Sequence, residues 1–193
     1  MKSSILLNPF EKYSDKALLF LGIITTVIGV FLAYNFNAKF DGVIDLHFDK
    51  QVSFSDSSTY LIIDVVVLTI LLYLVGKYIN KKTRLIDIIS TVLISRIPLY
   101  FCTIFNLNDK SYIISNKVLE IAVSKKIDSL SANEIAFMLF QAIALITALI
   151  WFVILLFNGF KIATNSKVTK HTLLFVLAII VAEIISKIII YKL

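Results

Sequence analysis

Residues 84–105 read RLIDIISTVLISRIPLYFCTIF, a stretch that is apolar enough to cross a bilayer yet has Arg96 and Pro98 at its centre. An arginine in the middle of a spanning helix costs about 2.5 to 3.5 kcal/mol, so we expect Arg96 to face protein, water or a counter-charge rather than lipid. Pro98 removes a backbone donor, which a spanning helix tolerates where neighbouring helices or water satisfy the freed carbonyl. The stretch therefore predicts a helix inside a bundle.

The composition of the whole chain is typical of a membrane protein. Its 193 residues are 59% hydrophobic and 17% charged, with a mean hydropathy of +0.90. In soluble domains about a quarter of the residues are charged. A run of about 20 apolar residues crosses the hydrocarbon core. We therefore predict an all-α, polytopic helix bundle that forms a single membrane domain, with five transmembrane helices at about residues 17–34, 59–79, 84–105, 134–160 and 171–191.

The segments outside the spans carry shorter-range signals. Residues 43–49 alternate between apolar and polar side chains after the turn signal Asp41-Gly42, which predicts a strand or a small β-hairpin in the first loop. Apolar residues recur at helical spacing over residues 113–123, which predicts an amphipathic helix lying on the membrane or on the bundle. Ser131 and Glu134 have the spacing of a capping box that opens the fourth span.

Two features near the N-terminus predict contacts with lipid headgroups and with a neighbouring helix. Residues 1–16 predict a short interfacial segment, with Phe10 and Tyr13 at the level of the lipid headgroups. In the first span, small residues recur at spacings of three and four. They predict a helix face on which a neighbouring helix packs closely: Gly22, Thr25 or Thr26, Gly29 and Ala33.

The distribution of Lys and Arg predicts the orientation of the chain. The N-terminal segment and the two loops on its side of the membrane carry ten of these residues, against seven on the opposite side. Cytoplasmic loops are enriched in Lys and Arg, so we expect a cytoplasmic N-terminus and an extracytoplasmic C-terminus. The formal net charge of +6 lies mostly at the ends of the spans. That placement favours contact with lipid headgroups over binding of nucleic acid.

Four charged side chains lie at least four residues from either end of a predicted span: Asp64, Arg96, Glu183 and Lys187. A rise of about 1.5 Å per residue places Arg96 and Glu183 near the midplane, so we expect these two to face each other. Asp64 and Lys187 would complete the cluster toward the extracytoplasmic surface. Such a cluster either neutralises itself and sets the register of the helices, or forms a polar site for an ion, a proton or a headgroup.

Few residues in the sequence suit catalysis or metal binding. Asp45, His47 and Asp49 project to one side of the predicted strand and could bind a metal ion, although their spacing fits no known ligand motif and equally suits a solvated polar edge. The only two histidines, His47 and His171, lie outside the spans, and neither a nucleophile motif nor a glycine-rich phosphate loop is present. We therefore expect neither enzymatic activity nor a cofactor.

Several short motifs resemble the bacterial branch of the Yip family, the Ypt-interacting five-span membrane proteins. They are Asn8-Pro9-Phe10, Arg96-Ile97-Pro98, and the segment from Trp151 through Gly159-Phe160-Lys161. The resemblance implies a five-span fold and a role in membrane organisation, trafficking or transport. We expect the partners of this chain to be the lipid bilayer, other membrane proteins or a second copy of the chain. The Asp-Leu-Tyr-Gly-Pro signature of the eukaryotic members is absent, so no partnership with Rab-type GTPases is implied.

Overall fold

The computed structural model describes residues 5–124, 130–166 and 168–193. A single 3-10 turn, Pro9–Glu11, precedes the first long helix, and a second 3-10 segment spans Cys102–Asp109. The α-helices of the described residues are α1 (Asp15–Asn35), α2 (Phe54–Ile79), α3 (Leu85–Ser95), α4 (Ile97–Phe101), α5 (Lys110–Ser124), α6 (Ala132–Thr164) and α7 (Thr169–Tyr191).

The prediction of five spanning helices is confirmed. Five helical segments are long and apolar enough to cross a membrane: Asp15–Asn35, Phe54–Ile79, Leu85–Val123, Ala132–Thr164 and His171–Tyr191. Their large apolar side chains are exposed on the outside of the bundle, as Phe20, Ile70 and Leu139 illustrate. Lipid rather than water suits such surfaces, and the chain is therefore a multi-pass membrane protein.

The third span lies inside the bundle, as its charged and proline-bearing sequence predicts. In its apolar stretch 72% of the residues are buried, against 22% for the span Ala132–Thr164. Helices α1, α2 and α6 pack around α3, and α7 packs against α2. The helix is interrupted at Arg96 and restarts at Ile97, with Pro98 in the first turn, where a missing backbone N–H costs no hydrogen bond.

The small-residue face of α1 is confirmed as a packing surface. A Cβ added at Gly22 would lie 2.7 Å from Cβ of Leu93, and one added at Gly29 would lie 2.7 Å from the ring of Tyr100. The hydroxyls of Thr26 and Tyr100 are 3.3 Å apart and share a hydrogen bond at the same contact. Small residues thus let the backbone of α1 approach the central helix closely.

The first loop forms a small hairpin that folds into the end of the bundle. Strand β1 (Ala38–Lys39) pairs antiparallel with β2 (His47–Phe48). The predicted small hairpin is confirmed, although only His47 and Phe48 of residues 43–49 pair with β1. Between the strands Phe40 and Val43 are buried. The turn therefore points its apolar side chains into the helices instead of continuing the ladder.

Two peripheral segments also follow their sequence signals. Ser131 and Glu134 form the predicted capping box at the start of α6. The predicted amphipathic helix is α5, and Lys117 on α5 forms an ion pair of 3.0 Å with Glu134.

Four of the lysines that predict the orientation lie outside the described residues: Lys2, Lys125, Lys126 and Lys167.

Gly29→Val should destabilise the bundle, because the added carbons collide with the buried ring of Tyr100. Overpacking of this kind typically costs about 1–3 kcal/mol, so we expect a lower midpoint of thermal unfolding in detergent. The control is Val27→Leu, which adds a methylene to an exposed side chain of the same helix and should leave the midpoint unchanged. Equal midpoints for the two variants would contradict the close contact between α1 and α4.

Candidate functional site

A fully buried ion pair joins the second and third spans. Arg96, at the break between α3 and α4, donates from Nη2 to Oδ2 of Asp64 on α2 at 3.0 Å. Both side chains have 0% of their surface exposed. Removing two charges from water costs several kcal/mol for each ion, so this geometry persists only where further hydrogen bonds satisfy the remaining donors and acceptors.

Three neighbours contact this pair. The hydroxyl of Ser186 on α7 donates to the second oxygen of Asp64. Nη1 of Arg96 donates to the backbone carbonyl of Val43 at 3.1 Å. The guanidinium also lies over the ring of Phe40, with 5.4 Å between the guanidinium carbon and the ring centroid. Three transmembrane spans and the first loop thus converge at one ion pair.

A second group of charges lies nearer the surface. Lys187 forms ion pairs with Asp45 in the first loop and, at 3.1 Å, with Glu183 one turn earlier on its own helix. Glu183 also accepts a hydrogen bond of 3.0 Å from the backbone N–H of Ile44. A Cβ added at Gly42 would lie 2.5 Å from Oε1 of Glu183, so a larger residue here would displace this carboxylate.

The four charges predicted from the sequence do come together, but their pairing differs from the prediction. The expected contact between Arg96 and Glu183 is wrong, since Arg96 binds Asp64 instead. Helix α2 begins at Phe54, five residues before the predicted start, and Asp64 therefore lies ten residues, or about 15 Å, into the helix. That depth is half of a hydrocarbon core of about 30 Å, which brings Asp64 to the level of Arg96.

Several members of the cluster were not predicted from the sequence. Ser186 stands three residues after Glu183 and so shares its helix face, which is a signal that sequence reasoning could have used. Gly42 follows Asp41 and predicts a turn, but nothing in the sequence indicates a carboxylate against it. The carbonyl of Val43 and the N–H of Ile44 have no sequence signal, because every residue carries those backbone groups.

The predicted metal ligands are only partly brought together. Asp41, Asp45 and His47 each offer one ligand atom, and these atoms lie within 4.8 Å of one another. Asp49 is not among them, because it forms an ion pair of 2.7 Å with Lys39, which lowers the pKa of Asp49. A divalent cation at these three residues would also face the ammonium of Lys187, which already binds Asp45. The geometry therefore favours a polar surface edge over a metal centre.

His47 is held by the carboxylate of Asp41. Nδ1 of His47 lies 2.8 Å from Oδ1 of Asp41, and this hydrogen bond raises the pKa of the imidazole. Burial raises the pKa of Asp41, but the hydrogen bond and the charge of His47 outweigh that effect, so the pKa of Asp41 is lowered. The pair therefore favours a protonated imidazole beside an ionised carboxylate.

The Arg96–Asp64 pair is closed to water in this conformation, whereas Lys187 is about half exposed. Arg96 and Asp64 have no exposed surface, and the buried residues Phe40 and Val43 of the first loop cover them. Asp64, Arg96, Glu183 and Lys187 are absent from the linings of four cavities on the described part of the chain. Chemically, the arrangement neutralises charge and joins helices.

Arg96→Met should lower the free energy of unfolding by about 3–5 kcal/mol, because it leaves the buried carboxylate of Asp64 without its counter-charge. Adding Asp64→Leu should recover most of the loss, since both charges are then gone. The measurement is denaturant unfolding in mixed micelles. Lys187→Met is the control and should cost less, because Lys187 is about half exposed. A double variant no more stable than the single variant would contradict a direct pairing.

The pKa of His47 should fall in an Asp41→Asn variant, because the hydrogen-bonded carboxylate raises it in the folded protein. The raised pKa stabilises the fold fully at pH values below the ordinary pKa of histidine, and this contribution is lost as the pH rises through the folded value. NMR titration of the imidazole protons measures the shift. Asp49→Asn, which removes a carboxylate bound to Lys39, should leave the pKa of His47 unchanged.

No family model, no curated protein and no solved structure matches this chain.

Proposed function

We propose that the chain is a non-enzymatic, multi-pass membrane protein of the Yip-like type, which organises the bilayer or binds partners within it. The observation that carries this proposal is the complete burial and direct pairing of Arg96 and Asp64. A transport site must exchange its ligand with water on at least one side. A pair without exposed surface, covered by the first loop, instead suits a role in fixing the arrangement of the helices.

The proposed orientation places the N-terminus in the cytoplasm and the first loop outside. It rests on the excess of Lys and Arg in the N-terminal segment and in the loops on its side. In this orientation the hairpin and α5 both lie at the extracytoplasmic surface. The five-span architecture is compatible with the Yip family, and membership of that family stays a prediction.

The peripheral helix α5 supports a role at the bilayer surface. Ile114 on one side is buried against the bundle, whereas Leu119 and Val123 on another side are exposed. An amphipathic helix with exposed apolar side chains at the membrane surface inserts them among the lipids of one leaflet. Such insertion changes the area of one leaflet relative to the other, which is one way to shape a bilayer.

The alternative function is that of a small-solute or ion transporter. Nε of Arg96 is buried without a hydrogen-bond partner among the described residues, and such an atom is a site for a water molecule or an anion. Lys187 is about half exposed and pairs with Glu183, so an entry route would start there. Five spans are few for a carrier, and a dimer would supply more.

Reconstitution into liposomes separates the two functions. We expect ion flux no greater than in protein-free liposomes, for the wild type and for Glu183→Gln alike, because Arg96 and Asp64 have no exposed surface. Vesicle diameter measured at increasing protein-to-lipid ratio should change with the amount of protein. Flux in the wild type that is lost in Glu183→Gln would support the transporter and contradict our proposal.

Replacing Leu119 and Val123 together by Glu should weaken the effect on vesicle diameter at least two-fold, because the exposed apolar side chains of α5 no longer insert. The control replaces Ser115 and Asn116 by Glu, which adds the same charge to the outer side of α5 and removes no apolar side chain. Equal vesicle diameters for the two double variants would contradict a role of α5 in shaping the bilayer.

A further inference from the structure

Two adjoining cavities lie beneath the N-terminal segment, at the end of the bundle away from the first loop. The larger has a volume of about 620 Å³ and lies between this segment, α1, the α3–α4 pair and α6. The smaller has a volume of about 140 Å³ and lies between the start of α1, the start of α3 and the end of α6. Leu18 lines both cavities, so they are neighbours.

The walls of the larger cavity are almost entirely apolar. Aliphatic and aromatic side chains line it, among them Leu21, Ile97, Phe101 and Trp151. The indole N–H of Trp151 already donates a hydrogen bond of 2.7 Å to the backbone carbonyl of Leu6. The cavity therefore offers few hydrogen-bonding groups to a sugar, a nucleotide or an ion. Its volume falls within the range of about 300–1,000 Å³ that ligand sites occupy, and its chemistry suits a hydrocarbon chain.

Along the central span, the larger cavity begins near the middle of the bilayer, at Ile94, and extends to Phe101. Arg84 immediately precedes α3 and lies at the membrane boundary, whereas Ile94 lies ten residues further along the helix. This separation is about 15 Å, which is half of a hydrocarbon core of about 30 Å. At this depth the medium around the protein consists of acyl chains, and an apolar cavity does not hold water.

The smaller cavity is polar and carries both signs of charge. Arg84 donates from Nε to Asp87 at 3.0 Å and from Nη2 to Asp15 and Asp87, while its Nη1 makes no hydrogen bond to the described residues. Ser90 lines the same cavity, is 2% exposed, and its hydroxyl has no hydrogen-bond partner among the described residues. A buried hydroxyl without a partner costs free energy unless a ligand or water satisfies it.

We propose that the two cavities form one binding site for a phospholipid with a zwitterionic phosphate–amine headgroup, such as phosphatidylethanolamine. One acyl chain occupies the apolar cavity. The phosphate accepts hydrogen bonds from Nη1 of Arg84 and from the hydroxyl of Ser90, and the amine donates to Asp15 and Asp87. The site lies apart from the buried charge cluster, so it goes beyond the proposed function and does not depend on it.

The charges in the polar cavity explain why the headgroup is zwitterionic. Two carboxylates and one guanidinium line it, and an anionic headgroup without an amine would meet uncompensated repulsion from Asp15 and Asp87. A choline headgroup is also zwitterionic, but its quaternary ammonium has no N–H to donate to a carboxylate. The primary amine of ethanolamine satisfies both requirements.

The N-terminal segment holds the site closed on one side. Besides the bond between Leu6 and Trp151, the side chain of Asn158 on α6 donates to the backbone carbonyl of Leu7 at 2.8 Å. Pro9 and Tyr13 line the apolar cavity, and Phe10 lines the polar one. One segment therefore contributes to the walls for both the acyl chain and the headgroup.

The chain offers a built-in probe of this site, because Trp151 is its only tryptophan and lines the apolar cavity. The full-length protein is placed in vesicles of unlabelled phosphatidylcholine that contain a small fraction of a phospholipid brominated on its acyl chains. Brominated phosphatidylethanolamine should quench the fluorescence of Trp151 several-fold more than its mole fraction predicts. Brominated phosphatidylcholine and phosphatidylglycerol should quench it roughly in proportion to their mole fractions.

Variants separate the contributions of the tail and the headgroup. Ala17→Phe fills the apolar cavity and should reduce quenching by phosphatidylethanolamine to the level of its mole fraction. Asp15→Asn and Ser90→Ala should each remove the preference for phosphatidylethanolamine. The matched control is Asp56→Asn, which removes a carboxylate from the first turn of α2 at the other surface and should preserve the preference. Unfolding midpoints show that each variant is folded.

Several outcomes would overturn the proposal. Quenching in proportion to mole fraction for all three lipids would exclude a specific site. A preference for phosphatidylglycerol, or equal quenching above mole fraction by all three lipids, would exclude the assigned headgroup. A folded Ala17→Phe variant that keeps the full preference would show that the acyl chain lies elsewhere.

Discussion

The ion pair between Arg96 and Asp64 is the interaction on which the arrangement of this bundle depends. Neither charge touches water, and each would be costly in hydrocarbon if left alone. The carboxylate must therefore find the guanidinium and the hydroxyl of Ser186, and the guanidinium must find the carbonyl of Val43. These requirements tie α2, the break after α3, α7 and the first loop to one point.

The first loop is a structural part of the bundle rather than a connection across its surface. Its turn places Val43 and Phe40 over the guanidinium, and Gly42 allows the carboxylate of Glu183 to approach the backbone. Buried ion pairs contribute little to net stability compared with apolar packing, because desolvation offsets much of the attraction. This pair instead specifies the register of the helices, because a shift of one helix by a single turn would leave charges unpaired in the hydrocarbon region.

The two ends of the bundle differ in what lies between the helices. At the end of the first loop, the hairpin and the ion pairs of Glu183 and Lys187 occupy the space between the helices. At the N-terminal end, the short segment Pro9–Glu11 and its neighbours cover α6 but leave an apolar cavity and a polar one. The cavities at the N-terminal end therefore have groups that could bind a ligand. In contrast, the charged residues predicted from the sequence hold helices together: Asp64, Arg96, Glu183 and Lys187.

The sequence alone determined the number of spans, the interior position of the third span, the small-residue face of α1 and the capping box of α6. Hydropathy and residue spacing along a helix are local properties, so these features do not depend on how the helices meet. Only the tertiary structure decided that Arg96 pairs with Asp64 rather than Glu183, and that Asp41 rather than Asp49 lies beside His47. Helix α2 begins earlier than predicted, which changes the depth of Asp64 in the membrane. Glu183 accepts a hydrogen bond from the backbone N–H of Ile44 in the first loop. Backbone groups are the same at almost every residue, so only the folded chain shows which of them meet a charge.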